Sequence, residues 1–128
     1  MRHRALILVV EDNPGNQLLT SSVLELEGYE VELAESSVEA LEHIALRMPD
    51  LILMDVQLPG VDGLSFTKTL RSASETAEIP IVALTAHAMS GDREQALAAG
   101  CVGYIAKPID TRTFGDQVRG FLLTAKAH

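Results

Sequence analysis

Three short apolar runs, each ending in charged residues, constrain the fold of this 128-residue chain more than any other feature. Leu6-Ile7-Leu8-Val9-Val10 leads into Glu11-Asp12, Leu51-Ile52-Leu53-Met54 into Asp55, and Tyr104-Ile105-Ala106 into Lys107-Pro108. Runs this short, apolar on every residue, suit strands buried on both faces of a parallel sheet. A fourth run, Ile81-Val82-Ala83-Leu84, ends at Thr85. In an open α/β sheet, functional groups gather beyond the carboxyl ends of the strands. Asp12, Glu11, Asp55 and Lys107 are therefore expected on one patch. Such a patch can hold a divalent metal and present a carboxylate nucleophile, which points to phosphoryl transfer onto an aspartate.

The segments between the runs read as helices and one further strand. Asn13-Pro14 supplies a cap and a first-turn proline, Leu19, Val23 and Leu26 recur at helical spacing, and Gly28 closes the helix. Residues 29–34 alternate Val31 and Leu33 with Glu30 and Glu32, as in a more exposed strand. Ser36 and Glu39 form a capping-box pattern ahead of Leu41, Ile44, Ala45 and Met48, and Pro49 stops that helix. Pro59-Gly60 marks a loop, and Phe66 and Leu70 anchor a third helix. Residues 90–99 predict a helix with no apolar stripe beyond Leu97 and alanines, expected to pack loosely. A last helix carries Phe114, Val118, Phe121 and Leu122. Five β-α units imply right-handed crossovers and a three-layer sandwich, read as a single domain over residues 1–128.

Composition removes several function classes. Hydrophobic residues make up 47% of the chain, which excludes disorder. No apolar stretch approaches the ~18 residues of a membrane span. Met1-Arg2-His3-Arg4 leads straight into the first run without a signal-peptide pattern, and Cys101 is the single cysteine, so the expected compartment is the reducing cytoplasm. A net charge of −8 argues against nucleic acid as a direct ligand. Glu25, Glu27, Glu30, Glu32, Glu35, Glu39 and Glu42 follow one another with no intervening Lys or Arg, and are expected to form a solvated acidic face.

Glu11-Asp12, Asp55 with Leu58-Pro59-Gly60 and Asp62-Gly63-Leu64, Thr85-Ala86 and Lys107-Pro108 together resemble the receiver domain (CheY-like) of two-component response regulators. The resemblance runs from Ala5 to about Leu123, and residues 51–58 and 85–92, with Gly100-Cys101, are also similar to single-domain DivK-type regulators. It implies a doubly wound five-stranded parallel sheet of order 2-1-3-4-5, the (βα)5 flavodoxin-like sandwich. It further implies that Asp55 is phosphorylated by a sensor histidine kinase or a histidine phosphotransfer protein, with Mg²⁺ as cofactor and Mn²⁺ as a substitute. The metal ligands would be Asp12, Asp55, the backbone carbonyl of Gln57 and, through water, Glu11. Lys107 would balance the phosphoryl oxygens, with a cis bond to Pro108. Thr85 would hydrogen-bond the phosphoryl group and Tyr104 would act as an aromatic switch. Gln57 and His87 occupy the rate-tuning positions, while Met89 and Cys101 read as packing residues. A chain of this kind is a phosphoacceptor rather than an enzyme, and its effector would bind the fourth helix, last strand and last helix, residues 88–99 and 103–118.

Rival readings fail on particular residues. A flavodoxin-like flavin binder needs a Ser/Thr-rich phosphate loop after the first strand, where this chain has two acids. A haloacid-dehalogenase-type phosphatase needs Asp-x-Asp, where this chain has Asp12-Asn13-Pro14 and Asp55-Val56-Gln57. A degenerate receiver used as a constitutive binding module stays an alternative, and intact Glu11, Asp12, Asp55, Thr85 and Lys107 weigh against it. The sequence ends about one turn after the last helix, so the modified face itself is expected to be the output. A receiver cut from a hybrid histidine kinase would read the same way.

Overall fold

A computed structural model describes residues 4–58, 62–86 and 90–126; the Pro59-Gly60 loop, His87 and Met89 lie outside the described residues. In chain order the elements are β1 (Leu6–Val10), α1 (Pro14–Leu26), β2 (Glu30–Ala34), α2 (Ser37–Leu46), β3 (Leu51–Asp55), α3 (Gly63–Ser72), β4 (Ile81–Thr85), α4 (Ser90–Ala99), β5 (Gly103–Ala106) and α5 (Phe114–Lys126). The strands form one parallel sheet in the order β2-β1-β3-β4-β5, as expected. The strand order reverses at β1 and β3, which opens a crevice above their carboxyl ends.

Every residue of β1, β3 and β4 is buried, because helices cover both faces of the sheet. On one face Leu24 of α1 and Phe114, Val118 and Leu122 of α5 pack on Ile7, Val9, Leu53, Val82 and Leu84. On the other, Ala40 and Ile44 of α2, Phe66 and Leu70 of α3 and Ala96 of α4 pack on Leu8, Val10, Ile52, Met54 and Ala83. The run before Lys107 departs from the expectation of burial on both faces. In β5 only Ile105 is buried and Ala106 is exposed, because the strand is a sheet edge.

The helix caps follow the sequence closely. Asn13 Oδ1 accepts from the Asn16 N–H at 3.0 Å, and Pro14 opens α1. Ser36 Oγ accepts from the Glu39 N–H at 3.2 Å, but the Glu39 carboxylate accepts from the Glu35 N–H, one residue earlier than a capping box requires.

Two apolar stripes are corrected. In α1 the buried residues are Thr20 and Leu24, whereas Leu19 is 38% and Leu26 88% exposed. In α2 they are Ala40 and Ile44; Leu41, Ala45 and Met48 are exposed, and Met48 lies beyond the helix end. Both helices carry leucines on more than one face, so spacing alone does not select the face that meets the sheet. Leu24→Ala is expected to cost roughly 2–5 kcal/mol and Leu26→Ala less than about 0.5 kcal/mol, measured by urea unfolding. Equal losses at the two positions would overturn the helix orientation.

Candidate functional site

Glu11 and Asp12 follow β1, Asp55 ends β3, and these strands are direct neighbours, with Val10 opposite Met54. The three carboxylates consequently meet: one oxygen from each lies within 4.8 Å of the others. Glu11 and Asp55 are buried, at 1% and 4% exposure, while Asp12 is open to solvent. Lys107 reaches them from the far side of β4. Its N–H donates to the Thr85 carbonyl at 2.7 Å, its bond to Pro108 is cis, and its ammonium donates to Glu11 Oε1 at 3.0 Å and Asp55 Oδ2 at 3.1 Å.

Backbone amides hold the remaining oxygens. Asp55 Oδ1 accepts from the Gln57 N–H at 3.0 Å, and Glu11 Oε2 accepts from the Asn13 N–H at 3.1 Å. Both buried carboxylates are thereby fixed in orientation. The Asp62-Gly63-Leu64 motif places α3 directly against the end of β3. Asp62 Oδ1 accepts from the Leu64 N–H at 3.1 Å, and Gly63 donates to the Val56 carbonyl at 2.9 Å. A Cβ on Gly63 would lie 2.1 Å from the Asp55 carbonyl oxygen, so only glycine permits this approach.

The electrostatics leave a surplus of negative charge, three carboxylates against one ammonium. Burial pushes the Glu11 carboxyl above its ordinary range, and the Asp55 carboxyl adds to that push. The Lys107 ammonium and the Asn13 N–H oppose it without reversing it. Burial also pulls the Lys107 ammonium down, but its hydrogen bonds to Glu11 and Asp55 outweigh burial and hold it above the usual lysine range. An all-oxygen, anionic donor set fits a hard divalent cation rather than a soft one.

Thr85 is buried and lines a cavity of about 150 Å³ with Val56, Gln57, Leu64, Ala83, Gln95 and Ala96. Tyr104 lies opposite Ala83 and Thr85 opposite Ala106, so strand alternation sends Thr85 and Tyr104 to the same face of the sheet. There Tyr104 is half-buried against the core under α2, α3 and α4. Gln57 joins the site through its backbone N–H and also lines the cavity. Gln95 in this cavity was not singled out by sequence, and Leu64 entered only as part of the Asp62-Gly63-Leu64 motif. The alanines of α4 signal open space, but nothing local tells which polar side chain borders it.

The family described as the response regulator receiver domain matches residues 7–119. The chain belongs to this family. The receiver is 43% identical over 116 residues to the polar-differentiation response regulator DivK of Brucella ovis, which covers 91% of this chain and 94% of that relative. Its fold is similar to the receiver domain of a Pseudomonas aeruginosa sensor histidine kinase, solved with a magnesium ion coordinated in its active-site cleft. The two share 38% identity with a TM-score of 0.83, over 94% of this chain and 98% of that one. For the chemotaxis response regulator CheY4 of Vibrio cholerae the identity is 29% and the TM-score 0.87, over 93% and 99%. Receivers are signalling proteins rather than classical enzymes, and this one is DivK-like.

Two substitutions in the receiver's charge cluster should change stability in opposite directions. With a chelator present, Asp12→Asn is expected to stabilise the fold by on the order of 1 kcal/mol, because a like charge is removed from an exposed, screened position. Lys107→Met is expected to destabilise it by roughly 2 kcal/mol. That is less than a fully buried pair loses, since the Lys107 side chain keeps 18% exposure. Chemical denaturation checks both, and a common sign would contradict the charge balance described above.

Proposed function

We propose that Asp55 accepts a phosphoryl group from a histidine of a sensor kinase or a histidine phosphotransfer protein, and that the modified receiver then binds an effector protein with altered affinity. The observation that carries this reading is the Lys107 ammonium shared between buried Glu11 and Asp55, beside exposed Asp12, in a chain of the receiver family. A carboxylate oxygen of Asp55 attacks phosphorus; a P–O bond forms as the donor's P–N bond breaks, and the donor ring, already carrying a proton on its other nitrogen, leaves as neutral imidazole with the electron pair of the broken bond.

Mg²⁺, or Mn²⁺ in its place, would be held by Asp12, Asp55, the Gln57 backbone carbonyl and, through water, Glu11. When bound, it supplies charge neutralisation at the incoming phosphoryl oxygens. The all-oxygen donor set supports this, as does the magnesium ion named for the P. aeruginosa relative. The Gln57 N–H keeps the Asp55 carboxylate oriented for attack. Lys107 transfers its hydrogen bond from the Asp55 carboxylate to the phosphoryl oxygens. The Thr85 hydroxyl then donates to the same group, and the Tyr104 ring turns inward on the face it shares with Thr85. Gln57 and His87 set how freely water reaches the phosphoryl group.

The effector face is α4, β5 and the start of α5. Its support is the loose packing of α4 over the Thr85 cavity and the position of Tyr104 on the adjoining strand. Residues 1–128 act as one receiver unit in the cytoplasm, without a nucleic-acid ligand. No described helix is long and apolar enough to cross a membrane. The same chemistry would serve a receiver cut from a hybrid kinase, the context of the P. aeruginosa relative.

A small-molecule phosphodonor with Mg²⁺ is expected to add one phosphoryl group, read by intact mass, and Asp55→Asn is expected to add none. Equal labelling of that variant would sink the assignment. Thr85→Ala should still be labelled yet lose most of the phosphorylation-dependent change in Tyr104 environment, read by NMR. The hydrogen bond removed is to a charged group, about 1.5–3 kcal/mol, enough to shift a two-state population strongly. An unchanged Tyr104 response would remove Thr85 from the switch.

A further inference from the structure

Arg71 lies in the last turn of α3, and its half-buried guanidinium turns inward to three backbone carbonyls. Nε donates to the Gly100 carbonyl at 2.8 Å, and one terminal nitrogen donates to those of Ala77 at 2.5 Å and Ile79 at 2.7 Å. Gly100 follows α4 directly with φ +111°, and a Cβ there would lie 2.6 Å from Arg71 Cγ. The arginine stem occupies the place a Gly100 side chain would need. Beside it the Gly100, Cys101 and Val102 N–H groups donate to the carbonyls of Leu97, Ala96 and Ile81 at 3.1, 3.0 and 2.8 Å. Carbonyls at a helix end lack partners within the helix, and a cation there is favoured by the macrodipole. The C-terminal end of α4 is therefore tied at once to α3, to the loop after α3 and to β4.

The body of α4 is held far less. Among its described side chains, Ala96 and Ala99 are the buried apolar ones and Leu97 is 44% exposed. The cavity of about 150 Å³ beside Thr85 lies against Gln95 and Ala96. A second, of about 270 Å³, separates Gln95, Ala98 and Ala99 from Leu64, Ser65 and Lys68 of α3. Clefts of this size admit solvent and leave the helix few apolar contacts on this side, so little resists its motion.

We infer that Arg71 is a positioning residue: it fixes one end of α4, so that modification at Asp55 swings the helix about Gly100 over the cavity beside Thr85 instead of displacing it whole. A ten-residue helix is about 15 Å long, so a rotation of about 10° at Gly100 moves its far end by roughly 2–3 Å. That is of the order of the helix shifts that carry switching. The trigger rests on the proposed phosphorylation of Asp55, whereas the pivot belongs to the unmodified fold.

The test is amide NMR on the wild type and Arg71→Met, with and without fluoroberyllate and Mg²⁺ as a phosphoryl mimic. In the wild type the mimic should shift the amides of residues 93–96 and leave those of 100–102 in place. In Arg71→Met this gradient should vanish, with residues 100–102 responding as strongly, while small-donor labelling of Asp55 keeps its rate within about twofold. A residue that merely adds stability would leave the gradient intact, and that result, or an equal response at both ends in the wild type, overturns the pivot. If the mimic shifts nothing near Thr85, the phosphoacceptor reading fails and the pivot is judged in the unmodified protein. Exchange broadening should then be confined to residues 93–96 in the wild type and spread to 100–102 in the variant; any other pattern rejects it. Should Arg71→Met fail to fold, Arg71→Lys keeps the stem and charge but loses the forked donors, and is expected to show the same loss of gradient in weaker form.

Discussion

An ammonium set between two buried carboxylates is the contact that lets this sheet end as it does. A doubly wound parallel sheet brings neighbouring strand ends together, and here β1 and β3 both end in acids. Burying an unpaired carboxylate costs several kcal/mol, so the arrangement requires a counter-charge. Lys107 supplies it from across β4, donating to Glu11 and Asp55. The pairing is incomplete, because Asp12 adds a third negative charge to the same few ångströms. A fold that sought only stability would have neutralised that charge. The deficit left in place is what makes the site receptive to a cation, and hence to the anionic group proposed for Asp55.

The two faces of the sheet differ in stiffness. On the α1 and α5 side, Leu24, Phe114, Val118 and Leu122 fill the space over the strands. On the α3 and α4 side, α4 contributes alanines, and clefts remain beside Thr85 and against α3. Thr85 and Tyr104 both face this less filled side. A change at the strand ends therefore meets a rigid wall in one direction and a yielding one in the other. Where packing is sparse the structure yields first, and the contacts proposed for Thr85, Tyr104 and Arg71 act on that side.

Much of this was readable from the sequence, for identifiable reasons. Buried parallel strands are apolar at every position and need no phase to be assigned, so β1, β3, β4 and the residues at their ends came out directly. Helices need a phase, and leucines on several faces of α1 and α2 obscured it; Leu26 and Leu46 are each 88% exposed. The edge position of β5 is a property of topology, invisible in a run that reads like the central ones. Arg71 was missed because its carbonyl partner Gly100 lies 29 residues away. The glutamate series was read as a solvated face, yet several members are engaged: Glu27 with Arg119, Glu30 with Arg47, Glu32 with His43, and Glu39 with the Glu35 amide. Apart from the Glu35 amide, the partners lie 11, 17 and 92 residues away, beyond the reach of local pattern.

Those ion pairs also distinguish the two edges of the sheet. Along β2, Glu30 and Glu32 meet His43 of α2 and Arg47 just beyond its end, and a charged edge discourages another strand from pairing with it. The β5 edge has no such fence among Gly103, Tyr104, Ile105 and Ala106. It is one residue shorter than β2, and the Phe121 ring covers Gly103 so closely that a Cβ would lie 2.4 Å from Phe121 Cε1. Removing water from a charged edge means desolvating paired groups, whereas an apolar edge loses little. The β5 side is thus both the cheaper surface to cover and the neighbour of α4, whose described apolar contacts are few. A partner that bound there would meet the state of Thr85 directly, and one bound on the β2 side would have to sense it through the well-filled core.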